Sequence, residues 1–265
     1  MTKRAVLGVD AAWTDSEPSG VALAVEREGG WSLAAVEASY DHFLGRSNGV
    51  EPGDARPRGS TPDAAALLSA ARMICGRRIG LVAVDMPMAR HRIVGRRPCD
   101  RLVSQRYGAR KAATHSPSAE RPGKISDALR AGFEAVGYRL CTAPAADGLI
   151  EVYPHPALIE FMNETRRLAY KAGKTLVYWS DLSSANRHLN LRAVWSRIVE
   201  ALERRIEGAK TALPLPSHDI RGWRLKAYED KHDAVVCAAV AIAALDGEAE
   251  PLGDESAAIW VPERR

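Results

Sequence analysis

The run IGLVAVD, residues 79–85, sets six apolar or glycine residues in a row and then stops at an acid. A half-exposed strand alternates apolar and polar side chains. An unbroken run instead fits a central strand with both faces covered. Helices on either side of a parallel or mixed sheet supply that cover, so this one segment points to an α/β protein. Residues 4–10, RAVLGVD, repeat the pattern, again ending in Asp. The segments 19–26 (SGVALAVE) and 31–38 (WSLAAVEA) read as further strands, and Gly29-Gly30 between them predicts an antiparallel hairpin. LIEVY at 149–153 is another short strand, closed by Pro154 and Pro156, and AIWV at 258–261 is a late one.

Between the strands lie helical signals. Thr61 and Pro62 predict an N-cap and first helical residue for a helix running to about Arg77. Shorter helices are expected at about 97–107 and 124–137, and a further one from Pro156 to about Tyr170. Leu189, Ala193, Ile198, Leu202 and Ile206 recur at helical spacing over 185–208. The strongest helix is 229–245, with acids first, then VVCAAVAIAAL, then Asp246-Gly247 as the stop. Residues 45–63, rich in Gly, Pro, Ser and Asp, read as a loop. With 265 residues and 46% apolar composition the chain can bury a core, which excludes wholesale disorder. One domain over 1–265 is expected, with 88–147 as an insertion or lid.

No window approaches 18 consecutive apolar residues, so no membrane-spanning helix is expected. MTKRAVLGVD runs straight into a strand with no signal-peptide apolar region, and the expectation is a cytoplasmic protein. Cys75, Cys99, Cys141 and Cys237 are scattered, without zinc-site spacing or a disulfide framework. The formal charge of +4 hides an asymmetry. Residues 88–124 hold ten Lys or Arg against Asp100 and Glu120, which makes that segment +8 and the remainder −4. Such a block suggests an anionic partner; the alternative is a solvated arginine-rich face.

Chemistry concentrates in acids at particular places. Asp10 and Asp85 end two strands, and Asp230 and Asp233 open the apolar helix, three residues apart and so on one face. Asp233 shares a stripe with Val236, Cys237, Val240 and Ala244 and is expected to point toward the sheet. A buried carboxylate needs compensation. A divalent cation shared with Asp10 and Asp85 would supply it, and hard oxygen donors suit Mg²⁺ or Mn²⁺. The plainer alternatives are turn residues for Asp10 and Asp85, an N-cap for Asp230, and a dipole-favoured first-turn acid for Asp233.

In this order the elements resemble the ribonuclease H-like superfamily, and DKHDAVVCAAVA looks like the final-helix motif of RuvC-type resolvases. Over nearly its whole length the chain resembles the DUF429 family, through GVDAAW (8–13), VAVDMPMA (82–89), RPCDR (97–101), THSPSAERP (114–122), EVYPHPALIEF (151–161), KAGKT (171–175) and DKHDAVVCAAVA (230–241). The resemblance implies a mixed five-stranded sheet of order 3-2-1-4-5 with helices on both faces. It also implies a nuclease in which Asp10, Asp85 and Asp233 form a two-metal cluster that hydrolyses phosphodiesters of DNA or RNA. Glu151, in the family's EVYP position, becomes a fourth catalytic candidate, as ligand or base. Asp85 departs from the RuvC pattern, where Glu is usual.

Other residues have weaker claims. Lys171 and Lys174 are phosphate-binding candidates by the family segment, although the GxxxxGK[ST] frame of a Walker loop is absent. Arg97 and Arg101 are candidates for backbone phosphates with Asp100 orienting one of them, against an internal ion pair. Ser116 and Arg121 sit in a loop that can reach over the site, and Trp13 can stack a base or serve as a core residue. His232 faces about 100° away from its acidic neighbour, which favours a supporting role. His155 lies in a rigid Pro-flanked corner. Two other functions compete: an actin-like nucleotide-binding phosphotransferase, disfavoured by the lack of a glycine-rich turn after Asp10, and a nucleic-acid-binding module without chemistry.

Overall fold

The computed structural model describes residues 4–264. The strands are β1 (Ala5–Asp10), β2 (Gly20–Arg27), β3 (Gly30–Glu37), β4 (Leu81–Val84), β5 (Gly148–Val152), β6 (Ile206–Glu207), β7 (Ala249–Gly253) and β8 (Ala258–Pro262). The helices are α1 (Tyr40–Ser47), α2 (Ala64–Cys75), α3 (Pro98–Tyr107), α4 (Lys124–Ala135), α5 (Pro154–Phe161), α6 (Thr175–Tyr178), α7 (Ser184–Glu203), α8 (Ala209–Ala212) and α9 (Trp223–Leu245), with a 3-10 turn at Ala172–Lys174. The expectation about a signal peptide rests partly on residues 1–3, which lie outside the described residues.

The protein is α/β, with one mixed sheet of order β6-β3-β2-β1-β4-β5-β8-β7. Its middle, 3-2-1-4-5, is the expected order, but the sheet has eight strands rather than five among the described residues. β6 extends the β3 edge, and β8 and β7 extend the other. β7 escaped the sequence reading because AEPLG has a proline and no alternation; Pro251 is tolerated there because β7 is an edge strand. β1, β4, β5 and β8 run parallel, β2 is antiparallel to both β1 and β3, and β7 is antiparallel to β8.

Strand parity sorts the core into two layers. Val6, Ala22, Ala24, Leu81, Ala83, Ile150 and Val152 face α9 and α7; Leu7, Val9, Val21, Leu23, Val82 and Val84 face α1, α2 and α4. A third cluster joins α3 to β8 through Cys99, Val103, Tyr107, Ile259 and Val261. From Ala234 to Ala244 α9 is buried all round, as a helix between a sheet and another helix layer must be.

Several boundaries differ from expectation. Helix α2 is capped by Asp63, whose side chain accepts from the Ala66 amide, not by Thr61. Ser39 caps the short α1, which was not expected. Helix α5 starts at Pro154 and ends at Phe161, well before Tyr170. Leu189 is exposed on α7, and Ile206 belongs to β6. Most consequential, α9 begins at Trp223 behind Gly222, so Asp230 and Asp233 lie in its interior. The N-cap and first-turn alternatives for these two acids are thereby removed. The described cysteines are all free, and among the described residues no helix is long and apolar enough to cross a membrane.

Candidate active site

Parity and register bring the first two acids together. Val9 pairs with Val84 across the parallel β1–β4 ladder, and the Asp85 amide continues it by donating to the Val9 carbonyl at 2.8 Å. Asp10 and Asp85 are therefore lateral neighbours, and period two places both on the α9 side with Val6, Gly8, Leu81 and Ala83. Helix α9 reaches them because two positions opposite it lack side chains. A Cβ on Gly8 would lie 2.1 Å from the Ala234 carbonyl oxygen and 2.4 Å from the Ala238 nitrogen. One on Gly20 would lie 2.1 Å from the Asp230 carbonyl oxygen. Helix backbone thus touches strand backbone, and the acids of α9 come down beside Asp10.

The α9 acids differ in their surroundings. Asp233 is fully buried. Burial works against its charge, but the Lys171 ammonium pairs with it and His232 approaches at 3.5 Å, and together they hold its carboxyl below the usual range. Lys171 also lies 3.4 Å from Glu229, whose other oxygen accepts from the Ala172 amide at 2.5 Å. Asp230 pairs with Lys226 through one oxygen, while its Oδ2 is buried without a hydrogen-bond partner. Burial and then the neighbouring Asp10 push Asp230 well up. Asp10 itself is raised to about 6, by burial first and then by Asp233. Asp85 is raised by burial and then by Asp10. The site has more buried negative charge than its two lysines offset.

A cleft of about 1130 Å³ opens above Asp10, Asp85 and Asp230. Trp13, Arg56, Arg58, Arg121, Trp223 and Lys226 are among its other lining residues. Of the substrate-contact candidates, Trp13 and Arg121 are there. Lys171 is instead the internal partner of Asp233, and the exposed Arg101 and Lys174 do not line the cleft.

Arg97 and Glu151 have other work. Arg97 is buried at the start of α3. It donates to both Glu151 oxygens, at 2.5 and 2.7 Å, and to both Asp100 oxygens at 2.9 Å. Glu151 also accepts from the Met88 amide at 2.7 Å. The internal ion pair therefore describes Arg97, with no face left for a phosphate. Parity turns Glu151 away from the α9 face that Ile150 and Val152 share, and its two oxygens are taken up by Arg97 and the Met88 amide. The triad ties the basic insertion to β5. Arg106 and Arg110 likewise pair with Glu250 and Glu160, so three of the segment's ten cations are matched by the acidic remainder.

Sequence reasoning missed Lys226, Trp223, Glu229, Arg56 and Arg58. Lys226 and Glu229 precede Asp230 and Asp233 by four residues each, a helical spacing that an earlier start for α9 makes visible. Arg56 and Arg58 lie in the loop after α1, where no periodicity marks them.

The donors suit a hard divalent cation in kind. Asp10, Asp85 and Asp230 line one cleft, and one Asp230 oxygen is buried without a partner. Among the described residues, however, no three His, Cys, Asp or Glu side chains stand gathered as a metal cage. Mg²⁺ needs no such cage, since one or two carboxylates with waters and substrate oxygens suffice.

The raised acids set a pH dependence. An acid whose folded-state pKa exceeds its unfolded value binds its proton more tightly in the native state, so stability falls as pH rises between the two values. For Asp10 that window runs from about 4 to about 6. Urea denaturation without metal is expected to show stability falling across it. Asp10→Asn flattens this fall and gains about 2–3 kcal/mol at pH 7. An unchanged slope in the variant would show that Asp10 titrates normally.

The chain belongs to the DUF429 family, whose model matches residues 8–258 and whose members are described as proteins of unknown function. No curated protein and no solved structure matches the chain.

Proposed function

We propose that this DUF429 protein is a divalent-cation-dependent phosphodiesterase acting on nucleic acid, built on a ribonuclease H-like core. The observation behind the reading is the convergence of Asp10, Asp85 and Asp230 on the floor of a cleft that Arg56, Arg58 and Arg121 also line. The strand order 3-2-1-4-5, with β2 antiparallel to its neighbours, supports the fold assignment. Asp10 and Asp85 would hold one Mg²⁺ or Mn²⁺, with Asp230 as the third donor. A bound cation of this kind lowers the pKa of an attacking water and stabilises charge on the leaving oxygen. Lys171 keeps Asp233 ionised beside this floor. Its ammonium already supplies positive charge to Asp233 and Glu229, so the reading is one cation and one lysine. The guanidiniums offer two-pronged hydrogen bonds to phosphate.

A nucleic-acid-binding module without chemistry is the second reading, because Lys171 and Lys226 already offset two of the acids. Cleavage separates the two. Wild type, Asp10→Asn and Asp85→Asn are incubated with labelled single-stranded, duplex, hybrid and branched DNA and RNA, in Mn²⁺, Mg²⁺ or EDTA. Metal-dependent products from wild type are expected, with about 100-fold or greater loss in both variants, since even outer-shell changes at metal sites cost 10–100-fold. Binding without products on any substrate would favour the module.

A further inference from the structure

We propose that the cleft accepts a single-stranded or locally unstacked nucleic-acid segment in preference to a duplex, with bases stacking on Trp13 and Trp223. The proposal rests on the phosphodiesterase reading and specifies its substrate. Trp13 follows β1 by three residues, and Trp223 opens α9. Both line the acid-floored cleft, and both are only half buried, although indoles are among the largest apolar groups in the chain. A guanidinium lies over each ring: Arg121 at 5.8 Å from the Trp13 centroid, and Arg224 at 4.6 Å from that of Trp223. Cationic groups beside exposed aromatic faces are the means by which proteins hold single strands without reading sequence. A duplex keeps its base faces stacked on one another and shows a protein only edges and phosphates, so indole faces gain nothing from it.

The phosphate side is independent evidence. Arg56, Arg58 and Arg121 are exposed in the cleft lining, and none of them forms an ion pair among the described residues. The start of the 23-residue helix α9 lies in the same lining, with Gly222 at its cap and no side chain bonded to its first amides. The Trp223 and Arg224 amides and three unmatched guanidiniums suit a backbone passing over Asp10.

Fluorescence anisotropy tests this in EDTA, where cleavage is suppressed, with a labelled 15-nucleotide oligothymidine and a labelled duplex of mixed sequence and equal length. Wild type is expected to bind the single strand at least tenfold more tightly. Trp13→Ala and Trp223→Ala should each weaken that binding about fivefold or more and leave duplex binding unchanged. Trp13→Phe, which keeps a stacking face, should retain it; this separates stacking from misfolding, because Trp13 also packs against the core. Arg56→Ala with Arg58→Ala should make the salt dependence shallower, as expected for lost phosphate contacts. Equal affinity for duplex, or alanine variants that bind like wild type, overturns the strand preference. Absence of binding to either probe overturns it too. Metal-dependent cleavage is a separate readout: duplex cleavage without single-strand preference would leave the phosphodiesterase standing and remove this inference alone.

Discussion

Replacing Gly8 by alanine lowers the melting temperature by about 6–12 °C. The added methyl would sit 2.1 Å from the Ala234 carbonyl oxygen and 2.4 Å from the Ala238 nitrogen. Both are backbone atoms inside a helix, so no rotamer change relieves the clash. Helix α9 must lift from the sheet, and its whole buried stretch loses contact with Val6, Ala22 and Ala24. Overpacking a core commonly costs about 1–3 kcal/mol and occasionally more. A clash with rigid backbone belongs at the upper end, and each kcal/mol is worth about 2–4 °C in a domain of this size. Gly20→Ala meets the Asp230 carbonyl oxygen at 2.1 Å and should act alike. Because one lift of α9 relieves both clashes, the double variant should lose less than the sum of the two. Thermal melts followed by circular dichroism measure all three. A drop under about 3 °C for Gly8→Ala would mean that α9 does not rest on β1 as described.

The same contact explains what could be read in the sequence. The aliphatic runs before Asp10 and Asp85 announced two central strands, because only a doubly covered strand tolerates IGLVAV without alternation. The small residues beside Asp10 were equally informative in retrospect. Gly8, Gly20, Ala22 and Ala24 share one sheet face, and a face so poor in side chains needs a helix pressed close. Parity would also have set Glu151 apart, since Ile150 and Val152 on either side of it are core residues of the α9 layer. The start of α9 was misplaced because the acids at 229–233 imitate a first turn. The preceding Trp223, Leu225 and Tyr228 mark the earlier start, but Lys and Arg between them mask the stripe. Arg97 could not be assigned from composition: a guanidinium between two carboxylates and one facing a phosphate look alike until the partners from β5 and α3 are placed. Lys171 was the subtler case. Its segment suggested phosphate binding, and only the tertiary fold brings it across to Glu229 and Asp233, some sixty residues later.

Lys171→Met is the second large expected effect, and it reports on the chemistry as well as the fold. The ammonium pairs with Asp233, lies 3.4 Å from Glu229, and sits 5.1 Å from the centre of the Tyr170 ring. Burial opposes its charge, but Asp233, Tyr170 and Glu229 hold it protonated well above the usual lysine range. Methionine keeps most of the volume and removes the charge, leaving Asp233 buried without its cation. Breaking a buried pair in this way costs about 3–5 kcal/mol. The pH dependence should change with it. In wild type Asp233 lies below its unfolded value, so its contribution is present above the unfolded carboxylate pKa, near 4, and is lost as pH falls through the folded value. Without Lys171 that support vanishes, and the variant should lose most relative to wild type above pH 4 and least in acid. A divalent cation offers a different rescue. If the carboxylates of α9 can serve as ligands once the lysine is gone, Mn²⁺ should raise the melting temperature of Lys171→Met by several degrees more than that of wild type, since ligand binding to the native state adds stability by mass action. Calorimetry should then count one Mn²⁺ per wild-type chain and a second in the variant. Two equivalents bound by wild type would show that Lys171 yields its place to metal. None in either protein would remove the cation, and the hydrolytic reading with it.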